Sequence, residues 1–233
     1  LQATEDRIID VIILDPNRDG IEQISNVLNG YSNLNAIHII SHGADGAVDL
    51  GNTQLNNASL AGHQEQLQAW GASLDGEADI LFYGCDLTAT AEGRALIDQI
   101  ANLTGADIAA SDDLTGSAEL GGDWDLEYQT GKLEANVAFS LQAQTNWSAT
   151  LASYTVTNTN DSGAGSLRQA IDNANVNTGV DDIVFNIGTG DSGYIDPTSG
   201  APGSGDEYWS IQLSTVLPAI TEAVVLDATT QNS

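Results

Sequence analysis

Two residues of this sequence have the type and setting for nucleophilic chemistry. Cys85 is the single cysteine, and His42 is one of three histidines. Each lies just past an apolar run with the look of a buried strand, "AIHIISHG" (Ala36–Gly43) for His42 and "ADILFYGCD" (Ala78–Asp86) for Cys85. Neighbouring strands of a parallel sheet lie about 5 Å apart, so two such ends can present a thiol and an imidazole to one substrate. The thiolate would attack a carbonyl carbon; the imidazole would protonate the leaving amine and then activate water. Gly43, having no side chain, can bring its backbone N–H close to a substrate. With the N–H of Cys85 it would form an oxyanion hole.

The elements that must hold this pair in place are legible as strand and helix signals in alternation. "IIDVIILD" (Ile8–Asp15) reads as a first strand, and "GIEQISNVLNG" as a helix stopped by Gly30. After the His42 strand, "GAVDLGNTQLN" reads as a small hairpin. "SLAGHQEQLQAWGASL" then reads as a helix capped by Ser59. The Cys85 strand is followed by a helix, "AEGRALIDQIANLTG", that Gly105 stops, and by a fourth strand, "ADIAAS" (Ala106–Ser111). "DWDLEYQTGKLEA" reads as a hairpin turning at Thr130-Gly131. The expected fold class is α/β: a mostly parallel sheet with helices on both faces and its chemistry at the strand ends. Near Leu151 the texture changes. A Thr-rich strand, a capping box at Ser166-x-x-Gln169 and several short strands separated by polar loops follow. Residues 1–151 and 152–233 are therefore read as two domains.

Composition narrows the function classes. Thirty-three Asp and Glu stand against five Lys and Arg, a formal net charge of -28. Such a chain repels phosphate backbones and anionic lipid, so neither nucleic acid nor a membrane surface is an expected partner. No apolar run is long enough to span a bilayer. A lone cysteine excludes an internal disulfide and a Cys-rich zinc site. Few Lys with abundant Asp, Asn, Thr, Ser and Gly suits a secreted or cell-surface bacterial protein in salty, calcium-containing water.

A strand ending in Ser-His-Gly, then a strand ending in Gly-Cys, is similar to the caspase-like (clan CD) cysteine peptidases. The fuller run "IHIISHGADGAVDLG", "ADILFYGCDLTATAEG" and "GADIAASDDLTGSAELGGDWDLE" resembles DUF4347, a domain found near the N-terminus of very large bacterial adhesins. The resemblance implies a caspase-like sheet, with His42 matching the catalytic His, Cys85 the nucleophile and Gly43 the oxyanion glycine. It also implies a strand ahead of Ile8, which this sequence begins too late to include and on which clan pockets often draw. "TVTNTNDSGAGSLRQAI" resembles the start of right-handed parallel β-helix regions of bacterial surface proteins. That resemblance implies that residues 152–233 cap the first coils of a β-helix. Arg168, one of the few cations, is expected to pair with a carboxylate near that cap.

Other residues have a functional reading and a bland one. Asp86, Asp112 and Asp113 could line a pocket for a basic substrate side chain, or be solvated surface of an acidic chain. Were the chain its own substrate after a basic residue, Arg7, Arg18, Arg94, Lys132 and Arg168 are the candidates. Asp15, Asn17 and Asp19 have calcium-loop spacing, with Gly20 at the turn. The twelfth position is Asn26 rather than Glu, and the bland reading is a loop whose acids favour a helix N-terminus. Asp161, Asp181, Asp182, Asp191, Asp196 and Asp206 could also meet calcium, with no spacing that singles out a site. The peptidase chemistry itself requires no cofactor. His38 reads as structural and His63 as surface; Trp70, Trp124, Trp147 and Trp209 read as packing.

Three functions follow as expectations. The first is a cysteine peptidase-like domain acting on polypeptide, its own chain included, within a larger adhesin. The second is the same fold kept as a structural or docking module without turnover. The third is a carbohydrate- or protein-binding adhesion module. Exposure of Cys85 separates the first two: an open cleft favours an enzyme, a sealed thiol a scaffold.

Overall fold

The computed structural model describes residues 8–176, 180–197 and 207–231. Two compact units divide the chain, Leu1–Ala152 and Ser153–Ser233. In the first, helix α1 (Gly20–Leu28) leads to strand β1 (Leu34–Ile40), then to β2 (Gly43–Ala44), β3 (Ala47–Leu50) and β4 (Thr53–Asn56). Helix α2 (Gln64–Gly71), strand β5 (Leu74–Tyr83), helix α3 (Ala91–Thr104), β6 (Asp107–Ala110), β7 (Tyr128–Gln129) and α4 (Leu141–Thr145) follow.

The central sheet has the order β1-β5-β6-β7. The β1–β5 and β5–β6 pairs are parallel, and β7 joins antiparallel. β2, β3 and β4 form a separate antiparallel sheet, which contains the expected hairpin. Side chains alternate across β5. Ile80 and Phe82 join the core built with Ile21 and Leu28 of α1, Leu67 and Trp70 of α2, and Leu96, Ile97 and Ile100 of α3. Tyr83 instead meets Trp124 and Phe139, and Trp147 packs edge-on against Trp124 with ring centroids 5.4 Å apart. The expected mostly parallel sheet with flanking helices is present: the three longer helices of this unit share one core with one face of the sheet, and an aromatic cluster that includes Phe139 and Trp147, on either side of α4, meets Tyr83 on the other.

Three local expectations differ from the fold. Ile8–Asp15 forms no strand; Ile8 and Ile13 are 96% and 91% exposed. An apolar run becomes a strand only where an edge accepts its ladder of hydrogen bonds, and this segment is instead tethered by side chains, Tyr31 donating to Asp10 and Asp15 N–H to Gln23. The Ser59 helix breaks at His63 into a 3₁₀ turn, Ser59–Gly62, and α2. Ser59 is drawn off by Gln54 and Asn56, its hydroxyl accepting from Asn56 N–H and donating to Gln54 O. No hairpin turns at Thr130-Gly131. The backbone N–H groups of Glu134 and Ala135 donate to the buried Asp79 carboxylate instead of to a partner strand.

In the second unit β8 (Ser153–Val156) is followed by α5 (Leu167–Ala174), β9 (Val180–Phe185), β10 (Tyr194–Ile195), β11 (Tyr208–Trp209) and β12 (Ala223–Asp227). β8 and β12 flank β9, both parallel to it. Ser166 caps α5 by accepting from Gln169 N–H, while the Gln169 side chain turns to Asn173, so only half of the capping box forms. Arg168 pairs with Asp161 at 3.0 Å and also donates to the carbonyls of Asp161, Thr215 and Val216. Of the residues singled out above, Arg7 and Asp206 lie outside the described residues.

Candidate active site

β1 and β5 run side by side with Ile40 opposite Tyr83, so the residues after both strands emerge at one edge of the sheet. Ser41 N–H extends the ladder by donating to Tyr83 O at 3.1 Å. The His42 loop is held from the other side by β3: Ser41 Oγ donates to Asp49 O, and Asp49 N–H donates to His42 O. The two loops then touch through glycines. A Cβ on Gly43 would lie 3.0 Å from the carbonyl carbon of Gly84 and 3.1 Å from Cys85 O, both backbone atoms that cannot step aside. Beyond Cys85, Asp86 takes a left-handed conformation (φ 57°), unusual for a residue with a side chain. Its N–H is fixed by Asp113 O at 2.7 Å.

The two backbone N–H groups expected to form an oxyanion hole point at one atom. Gly43 N–H donates to Leu151 O at 3.0 Å, and Cys85 N–H reaches the same oxygen at 3.5 Å. His42 Nδ1 lies 2.9 Å from the next carbonyl, Ala152 O; a carbonyl only accepts, so Nδ1 carries the proton. The Cys85 thiol is fully buried. Its sulfur accepts from Thr115 N–H at 3.2 Å and lies 3.5 Å from Thr115 O. Burial pushes the thiol up to about 12, and the nearby Asp86 and Asp113 carboxylates push the same way. The backbone N–H groups of Thr115 and Leu151 oppose them.

The other predicted residues are placed as follows. Asp86 is half-buried, and burial, then Asp45 and Asp112, raise its carboxyl above the usual range. Burial, then Asp123 and Glu127, raise Asp113. Asp112 receives Arg94 at 3.6 Å. Asp112, Asp113 and Glu127 offer carboxylate oxygens within 4.8 Å of one another, as do Asp123, Asp125 and Glu127, and Asp79, Asp107 and Glu134. Asp15, Asn17 and Asp19 are committed to local structure. Asp15 accepts from the Asn17 backbone, and Asp19 caps α1 through Glu22 N–H. His38 bonds Tyr83 and stacks on its ring, as a structural histidine does.

Sequence reasoning missed the main-chain partners of the two reactive loops. Thr115, Gly116, Leu151 and Ala152 carry no reactive side chain, and Leu151 and Ala152 fall at the expected domain boundary. The available signals were Gly116 and the texture change at Leu151. Gly116 has φ +138°, and a Cβ there would meet Ala149 O at 2.4 Å.

No curated protein and no solved structure matches the chain. A family model described as a domain of unknown function, DUF4347, matches residues 1–151, so the chain belongs to the DUF4347 family.

Proposed function

We propose that the first unit is a cysteine peptidase-like domain of caspase-like type, with Cys85 as nucleophile and His42 as general acid and base. One observation carries the reading. The N–H groups of Gly43 and Cys85, supplied by two different loops, converge on a single carbonyl oxygen beside the lone thiol and an imidazole. Two donors aimed at one acceptor, at the end of a parallel sheet where enzymes of this architecture place their chemistry, is the arrangement an oxyanion hole requires.

The chemistry needs no metal. A polypeptide is the substrate, and the setting is a large secreted or surface adhesin in which the second unit begins a parallel β-helix. The parallel β8, β9 and β12 support that last point.

The test is labelling of the whole chain with a panel of peptidyl acyloxymethyl ketones ending in Arg, Lys, Asp or Leu, with and without calcium. Adduct formation at Cys85 that disappears in His42→Ala and is absent in Cys85→Ala supports a peptidase. No adduct with any probe, under conditions where the unfolded chain alkylates, leaves a scaffold. That second reading, a structural module without turnover, has its own observation in its favour: the thiol is sealed from solvent.

A further inference from the structure

The carbonyl in the oxyanion hole belongs to a strand of the protein itself. Residues 149–152 lie between the reactive loops on one side and residues 115–117 on the other. Thr150 bridges Gly116 antiparallel, and Ala152 bridges Gly43 parallel. Ser117 N–H donates to Ala149 O at 2.9 Å, and Leu151 N–H donates to Thr115 O at 3.0 Å. Peptidases commonly bind substrates as added strands, gripped by main-chain hydrogen bonds that leave alternate side chains for pockets. Here Leu151 is that side chain, only 7% exposed. Gly116 is a glycine where the segment passes, and any Cβ there would collide with Ala149 O. The neighbouring aromatic cluster holds the approach to this segment through Trp147, packed on Trp124 and Phe139.

The placement of the two reactive groups then selects one bond. Leu151 O lies in the donor pair, and Cys85, whose N–H is one of those donors, is on the Leu151 side. His42 is on the Ala152 side, bonded to Ala152 O. We infer that the Leu151–Ala152 peptide bond is the substrate of the Cys85–His42 pair, and that the domain cuts its own chain there. This rests on the peptidase reading and names its substrate.

The reaction balances without a co-reactant other than water. The imidazole takes the Cys85 proton as sulfur bonds to the Leu151 carbonyl carbon, and the negative oxygen is held by the Gly43 and Cys85 N–H groups. The C–N bond to Ala152 breaks as the imidazolium returns a proton to the Ala152 nitrogen. Water then attacks the Leu151 thioester, giving its proton to the imidazole. The C–S bond breaks, Leu151 leaves as a carboxyl group, and the thiolate recovers the proton. Because Ser153 opens the second unit, the cut separates the two units covalently. The occupant carries none of the basic residues weighed from the sequence, so the acids near Cys85 are not what holds it.

The test is intact-mass and N-terminal analysis of the purified full chain, incubated over days at pH 7 to 10 with and without calcium, beside Cys85→Ala and Leu151→Asp. Circular dichroism establishes that each variant is folded, and Leu151→Gly is the milder alternative if the Asp variant is not. Expected are fragments 1–151 and 152–233, a new amino terminus at Ala152, and no fragments from Cys85→Ala. At least a tenfold slower cut is expected from the Leu151 variant. Cys85-dependent cutting elsewhere, after Arg18, Arg94, Lys132 or Arg168 for example, overturns this inference and leaves the peptidase standing. An intact chain whose Cys85 still takes a peptidyl probe does the same. An intact chain with an unlabelled thiol overturns both, and residues 149–152 are then a fixed strap.

Discussion

The burial of Cys85 sets a measurable reactivity. A thiol that ionises at about 12 is a thiolate in about one molecule in 10⁴ at pH 8, against about one in ten for an ordinary cysteine near 9.0. Since the thiolate is the reacting form, alkylation of the intact native chain is expected to be about a thousandfold slower than in urea, before any steric shielding is added. The same difference enters stability. The folded state holds the Cys85 proton more tightly than the unfolded state does. The stabilisation is complete below about pH 9 and lost as pH rises toward about 12. Over that window the loss is about 4 kcal/mol, an order-of-magnitude figure for a fully buried group. Two assays read it. Iodoacetamide labelling followed by mass spectrometry gives the rate on the uncut species. Urea unfolding from pH 8 to 11, compared with Cys85→Ala, isolates the thiol from the tyrosines common to both. Native labelling within tenfold of the urea rate at pH 8, or wild type and Cys85→Ala losing stability in parallel above pH 9, would refute the burial argument.

Three further outcomes are expected. Gly43→Ala forces a Cβ against the Gly84 and Cys85 backbone; thermal unfolding should show a loss of about 1–3 kcal/mol, and peptidyl-probe labelling of Cys85 should fall at least tenfold. Asp79→Ala strips the acceptor from the Glu134 and Ala135 N–H groups, so urea unfolding should show a loss of about 1–3 kcal/mol, with Asp79→Asn recovering part of it through its remaining carbonyl oxygen. In the second unit, Arg168→Ala should lower the unfolding midpoint. Arg168→Lys should not restore it, because one ammonium cannot reach Asp161, Thr215 and Val216 from the fork positions the guanidinium uses.

The strand ends bearing His42 and Cys85 were legible because buried parallel strands are short continuous apolar runs, and β1 and β5 do pair in parallel. The α3 stop at Gly105 was legible because a left-handed cap, here φ 75°, favours glycine. Ile8–Asp15 has the same apolar signature as β1 and makes no ladder, since composition reports a demand for burial and says nothing of which edge meets it. The missing hairpin at Thr130-Gly131 and the break at His63 depend on hydrogen bonds to Asp79 and from Ser59, a tertiary matter with no periodicity. Across the cleft the illegible part was main chain: Thr115 and Leu151 act through N–H and C=O groups that every residue has, so no side-chain pattern announces them.

Main-chain recognition also links the buried thiol to the peptidase reading, two observations that otherwise pull apart. If the proposed self-cleavage occurs, the backbone that Leu151 places beside the buried thiol would be released by the cut. The carbonyl that accepts from Gly43 and Cys85 belongs to the 149–152 segment, and hydrolysis would turn it into a carboxylate. Asp86 and Asp113 already disfavour negative charge at the Cys85 sulfur, and they would disfavour it on a Leu151 carboxylate in the same place. The carboxylates that add to the effect of burial on the thiol would then help to expel the product end. On the proposed cleavage, burial and reactivity would be successive states of one site, with the integrity of one peptide bond as the variable between them.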